Sequence, residues 1–98
     1  MKIVWSPLAV EKASEIVDYI VQDKPLAADQ WIQTVFSKVE QLRSNPETGR
    51  IVPEINERHF REIIYGNYRI LYHIETKQIS ILTIRHGKQI LPIDEIKA

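Results

Sequence analysis

The chain has no cysteine among its 98 residues, which rules out both a disulfide framework and a thiolate metal site. Its first twenty residues carry Glu11, Lys12, Glu15 and Asp18 rather than an apolar signal region, so an intracellular chain is expected. Neither sign of charge dominates. Thirteen Lys plus Arg balance thirteen Asp plus Glu, so the molecule has no overall positive field to hold it on nucleic acid, and any such contact needs a local patch. The three histidines, His59, His73 and His86, are not spaced as metal ligands, and no internal repeat or low-complexity stretch is present. These absences predict a soluble, cytoplasmic chain with no membrane segment, metal or cofactor. What is there, 44% hydrophobic residues in a short chain, suits one core and one domain spanning residues 1–98.

Lys2-Ile3-Val4-Trp5 is short and partly β-branched, and Ser6-Pro7 follows it as a helix cap with proline in the first turn, so a strand is expected to feed directly into a helix. From Leu8 to Gln22 the residues Ala9, Ala13, Ile16, Val17, Ile20 and Val21 recur at three- and four-residue steps, which gives one buried stripe. Asp23-Lys24-Pro25 breaks that stripe. A second helix is expected from about Leu26 to Ser44, with Ala28, Trp31, Ile32, Val35, Phe36, Val39 and Leu42 on its core side and Asn45-Pro46 as its stop. The segment from Pro46 to Arg58 has no clear period and reads as a connecting loop. Gly87 to Ala98 is too short and mixed to assign, either a tail or a brief closing helix.

Beyond the loop the period changes to two. His59 to Tyr65, Tyr68 to Ile74 and Ile79 to Arg85 predict a three-stranded antiparallel meander, with Gly66-Asn67 as a two-residue turn. That turn sets Tyr65 opposite Tyr68 and sorts the side chains into two faces. One holds Ile63, Tyr65, Tyr68, Ile70, Tyr72, Ile74, Ile79 and Ile81, with Arg61 and Arg85 at its margin, and should pack on both helices. The other holds Phe60, Glu62, Ile64, Arg69, Leu71, His73, Ser80, Leu82, Ile84 and His86, a mixture expected to form a half-open functional face. The architecture is therefore α+β: an N-terminal strand, an antiparallel helical hairpin, and a meander that completes one twisted sheet.

The order of these elements, together with Gly49-Arg50-Ile51-Val52-Pro53-Glu54, Arg61-Glu62, Tyr68-Arg69-Ile70-Leu71-Tyr72 and Ile84-Arg85-His86-Gly87, resembles the RelE/ParE toxin superfamily over nearly the whole chain. The resemblance implies the toxin half of a type II toxin-antitoxin pair, a growth inhibitor associated with plasmid stabilisation and neutralised by a cognate antitoxin protein. RelE-like members are ribosome-dependent mRNA endonucleases, whereas ParE-like members inhibit DNA gyrase. A module that has lost toxicity and only binds antitoxin or regulates its operon is a third possibility.

An endonuclease of this kind needs a base for the ribose 2′-hydroxyl, an acid for the leaving oxygen, and cations on the phosphate. By resemblance, Arg69 and His86 are the catalytic candidates. The chain departs from the RelE pattern elsewhere. Its two strand lysines fall at Phe60 and Glu62, and the late tyrosine has no counterpart after His86, where Lys88 is the nearest cation. Glu54 is similar to the loop glutamate of another ribonuclease branch. With zero net charge, and with Ala27-Ala28 and Asn45-Pro46 bounding the second helix, the chain is more similar to the ParE branch. On that reading the target-binding candidates are Arg61, Glu62, Arg69, Leu71, Leu82, Arg85, His86 and Lys88. A structural role competes at several of these: Arg69 can pair with Glu62, and Arg61 can anchor a loop.

Overall fold

The computed structural model describes residues 1–87 together with Leu91, Ile93 and Ile96. Strand β1 (Lys2–Trp5) leads into helix α1 (Pro7–Val21), and helix α2 (Pro25–Glu40) returns antiparallel to it. Short 3-10 helices at Gln41–Arg43 and Pro46–Thr48 lead to β2 (Arg50–Ile51), followed by β3 (Phe60–Tyr65), β4 (Tyr68–Ile74) and β5 (Gln78–His86). The strands form one sheet in the order β1-β5-β4-β3-β2, antiparallel except where β1 lies parallel to β5. The α+β expectation is met. The sheet is larger than the meander alone, because β1 joins one edge and the loop contributes the two-residue β2 to the other. Among the described residues, no helix is long and apolar enough to cross a membrane.

Ser6 explains the entry into α1. Its hydroxyl accepts the Ala9 N–H at 3.0 Å, a first-turn donor that would otherwise lack a partner, while Pro7 occupies the position where a missing N–H costs nothing. The same hydroxyl donates to the Leu82 carbonyl at 2.9 Å, and the Ser6 N–H donates to the Ile81 carbonyl at 3.0 Å. The cap of the first helix is thereby tied to the middle of β5.

The main core lies between the helices and one sheet face. Ala9, Ala13, Trp31, Val35, Val39 and Leu42 meet Ile70, Tyr72, Ile79, Ile81 and Ile84, with Ile63, Tyr65, Tyr68 and Ile74 packed around them. Fully burying each large aliphatic or aromatic side chain here is worth about 1.5–3 kcal/mol, which fixes the hairpin on this face. Phe36, expected on the core side, is 49% exposed and touches Trp5 edge-to-face at its margin.

The opposite face is not half-open. Val52, Leu71, Leu91 and Ile96 form a second buried cluster, with Ile55, Phe60 and Leu82 against it, so the loop after β2 and residues beyond β5 cover the centre of the sheet.

Candidate functional site

The β3–β4 hairpin has the register that a two-residue turn requires, from Tyr65 opposite Tyr68 to Phe60 opposite His73. Gly66 has φ +57° and Asn67 has negative φ, the pattern of a turn whose first central residue is left-handed and favours glycine. Pairing between β4 and β5 is less regular. Leu71 lies opposite Thr83 and Tyr72 opposite Ile81, which leaves Leu82 as an extra residue in a bulge.

That bulge reverses the predicted faces of everything after it. Ile84 pairs with Ile70 and joins the main core, and His86 pairs with Tyr68, the two rings meeting edge-to-face at 5.7 Å. Arg85, expected at the core margin, lies opposite Arg69 on the second face. Arg69 and His86, the catalytic candidates, therefore start from opposite faces of the sheet, although both border one cavity of about 320 Å3 at its hairpin end.

On the second face the charges are largely matched. Glu62, buried on β3, accepts from Arg69 Nε through Oε1 at 2.6 Å and from Arg50 Nε through Oε2 at 2.5 Å. Arg69 directs its two terminal nitrogens to both carboxylate oxygens of Glu54, each at 2.7 Å. Such fork-to-fork pairing is strong and directional. The hydrogen bonds from Arg69 hold the Glu54 carboxyl down at about 2, and Arg69 is raised above the usual guanidinium range, chiefly by Glu54. At neutral pH Glu54 is thus a weak base, and to clamp a phosphate Arg69 would first have to release it.

Glu54 also sets an acid response. Its folded-state pKa is depressed, so its contribution to stability is complete above the ordinary carboxyl range near 4.5 and is lost as pH falls through about 2. Its side chain is 37% exposed, so solvent screens part of that contribution. In acid-unfolding titrations the native chain should lose stability between about pH 4.5 and 2, and Glu54→Gln should flatten this slope. An unchanged slope would mean that the pair carries no linkage.

The remaining candidates are placed as follows. Arg61 donates to the Arg58 carbonyl at 3.0 Å, the Glu47 carbonyl at 3.2 Å and the Gly49 carbonyl at 2.9 Å, so it anchors the loop before β2. Leu71 is 1% exposed and Leu82 half-buried, so the exposed apolar surface expected of them is taken up by the second cluster. Glu62 is likewise enclosed, whereas Arg85 and His86 are half-buried at the end of β5. Lys88 lies outside the described residues. Sequence reasoning missed Arg50 as a site residue; its signal was the alternation that places it opposite Glu62 once β2 is recognised.

Comparison with known proteins adds a second line of evidence. The model of a family described as the ParE toxin of the type II toxin-antitoxin system parDE matches residues 3–91. Toxin RelE2 of Caulobacter vibrioides is 29% identical over 90 residues, covering 91% of this chain and 98% of that protein. A chain of the chromosomal ParDE toxin-antitoxin system from P. aeruginosa shares the fold with a TM-score of 0.74 at 21% identity, covering 90% of this chain and 97% of that one.

Proposed function

Because the chain belongs to the family of ParE toxins of type II toxin-antitoxin systems, we propose that it is the toxin of such a pair, inhibits DNA gyrase, and is held inactive by a cognate antitoxin. The observation that carries the choice of target is the state of Arg69. Its guanidinium is committed to Glu62 and, bidentately, to Glu54, and the His86 ring lies edge-to-face against Tyr68. A phosphate clamp for RNA cleavage would need that guanidinium free of its carboxylates. Inhibition by binding has no such need. On this reading the contact region lies at the end of β5, with Arg85, His86 and the following Lys88.

Supercoiling by purified gyrase and translation of a defined mRNA by purified ribosomes, run in parallel with the same toxin preparation, test the proposal. Supercoiling should fall while the mRNA stays whole. Codon-positioned cuts in the mRNA with unaffected gyrase would overturn it in favour of a ribosome-dependent endonuclease. The binding reading also expects charge reversal at Arg85 or Lys88 to weaken inhibition more than His86→Ala does.

A further inference from the structure

Strand β1 is one edge of the sheet, and its pairing fixes where its backbone groups point. It lies parallel to β5 with Ile3 beside Ile79 and Trp5 beside Ile81, and the Ser6 N–H donates to the Ile81 carbonyl. In a parallel ladder of this register the N–H and C=O of Val4 turn toward β5, and those of Ile3 and Trp5 turn outward. The outward groups make no other hydrogen bond among the described residues. Both ends of this open stretch are closed. Arg43 Nη1 donates to the Met1 carbonyl at 3.3 Å, and Ser6 leads into α1, where Pro7 has no N–H to offer. Four groups on Ile3 and Trp5 remain, arranged symmetrically about Val4. The edge has no proline, its one charge is Lys2 at its start, and its flank is apolar: Phe36 is 49% exposed against Trp5 and Met1 is 41% exposed.

We propose that β1 pairs antiparallel with β1 of a second copy of this chain about a two-fold axis at Val4, joining the two sheets into one. Ile3 of each copy then lies opposite Trp5 of the other, all four outward groups are bonded, and the two Val4 side chains meet at a non-hydrogen-bonded position, where cross-strand neighbours come closest. The limited length of the edge selects the occupant. A long strand would run against Arg43 at one end and α1 at the other. A flexible segment confined to three residues gains four hydrogen bonds but must be ordered at about 1–2 kcal/mol per residue, whereas a strand already held in a sheet has no such freedom to lose. The second copy is such a strand, its two stops match those it meets, and it brings its own Trp5 and Phe36 to the helix side of the seam. The pairing involves neither the ion cluster of Arg69 nor the end of β5, so it holds whichever macromolecule the toxin inhibits.

The test is sedimentation equilibrium of the full chain, read together with amide hydrogen exchange. The parent should associate reversibly in the micromolar range, as small interfaces do. Raising its concentration should slow exchange of the Ile3 and Trp5 amides severalfold, while Val4, already bonded to β5, changes little. Val4 belongs to neither core cluster, and Val4→Lys and Val4→Glu should each sediment as a monomer because like charges meet on the axis. Mixed in equal amounts, the two variants should pair again. Phe36→Ser should weaken self-association severalfold, and Leu26→Ser, at the 88% exposed start of α2, should leave it unchanged. Amide shifts that match the parent away from β1 establish that each variant is folded. A parent that stays monomeric at millimolar concentration, association without slower exchange at Ile3 and Trp5, Val4 variants that each self-associate like the parent, folded Val4 variants that fail to pair on mixing, or a loss in Leu26→Ser as large as that in Phe36→Ser would each overturn the proposal.

Discussion

Glu62→Ala is expected to lower the unfolding free energy by about 3–5 kcal/mol, the cost of removing one partner from a buried ion pair. For a chain of this size that is a fall in melting temperature of more than roughly 12 °C. The carboxylate is enclosed, and it is the common acceptor for Arg69 and Arg50. Arg69 is itself almost fully buried, so without Glu62 its Nε loses an acceptor where water cannot replace it. Glu54 would still bind the terminal nitrogens, which is why the chain should remain folded at low temperature rather than fail to fold. Glu62→Gln should cost less, because an amide oxygen still accepts. Replacing Glu62 and Arg69 together with Leu and Met should recover much of the loss, since the two charges left without partners, Glu54 and Arg50, both reach solvent. Urea unfolding of the four proteins distinguishes these cases. A loss below about 1 kcal/mol in Glu62→Ala would place the pair in the energetic class of surface salt bridges.

The same cluster shows where the sequence was readable. The helix starts and the break between the helices were legible because their signals are local, Ser6 before Pro7 and then Asp23-Lys24-Pro25, whereas the second helix, expected to run to Ser44, ends at Glu40 and passes into a 3-10 turn. The β3–β4 register followed from Gly66-Asn67 because a two-residue turn leaves no freedom of pairing. After that the alternation misled. A strict period of two carried from Ile79 and Ile81 puts Ile84 on the wrong face, and the pair Ile81-Leu82 followed by Ile84 was the visible sign that one residue had been inserted. Ser6, bonded to the carbonyls of Ile81 and Leu82, is a contact at the bulge that no local pattern announces. The cover over Leu71 was hidden for a different reason: Leu91 and Ile96 arrive from a segment without periodicity. The ties of Arg69 to Glu54 and of Arg50 to Glu62 were hidden too, because they span an irregular loop of no fixed reach. Misplacing the bulge alone was enough to assign Arg69 and His86 to the same face.

Gly49→Ala should cost about 2–4 kcal/mol, an overpacking penalty plus a lost hydrogen bond, although its φ of −72° suits any residue. The reason is space. A Cβ there would stand 2.6 Å from the Glu62 carbonyl oxygen and 2.7 Å from the Tyr72 hydroxyl. That hydroxyl is a structural hub, accepting the Gly49 N–H at 3.0 Å and donating to the Pro46 carbonyl at 2.6 Å. Burial raises its pKa, so it keeps its proton and its role as donor. Tyr72→Phe in the Gly49→Ala background should give back only part of the loss, because the clash with the β3 backbone remains whichever ring faces it. Full recovery in the double variant would show that the hydroxyl alone sets the limit. The displacement has a consequence beyond stability. Arg50 follows Gly49 directly and depends on its register opposite Glu62. Pushing Gly49 off β3 should therefore also loosen the Arg50–Glu62 pair, read as a shift of the Arg50 Nε–H resonance at temperatures where the variant is fully folded. An unchanged Arg50 Nε–H resonance in folded Gly49→Ala would mean that Arg50 is held by Glu62 alone and not by the strand that carries it.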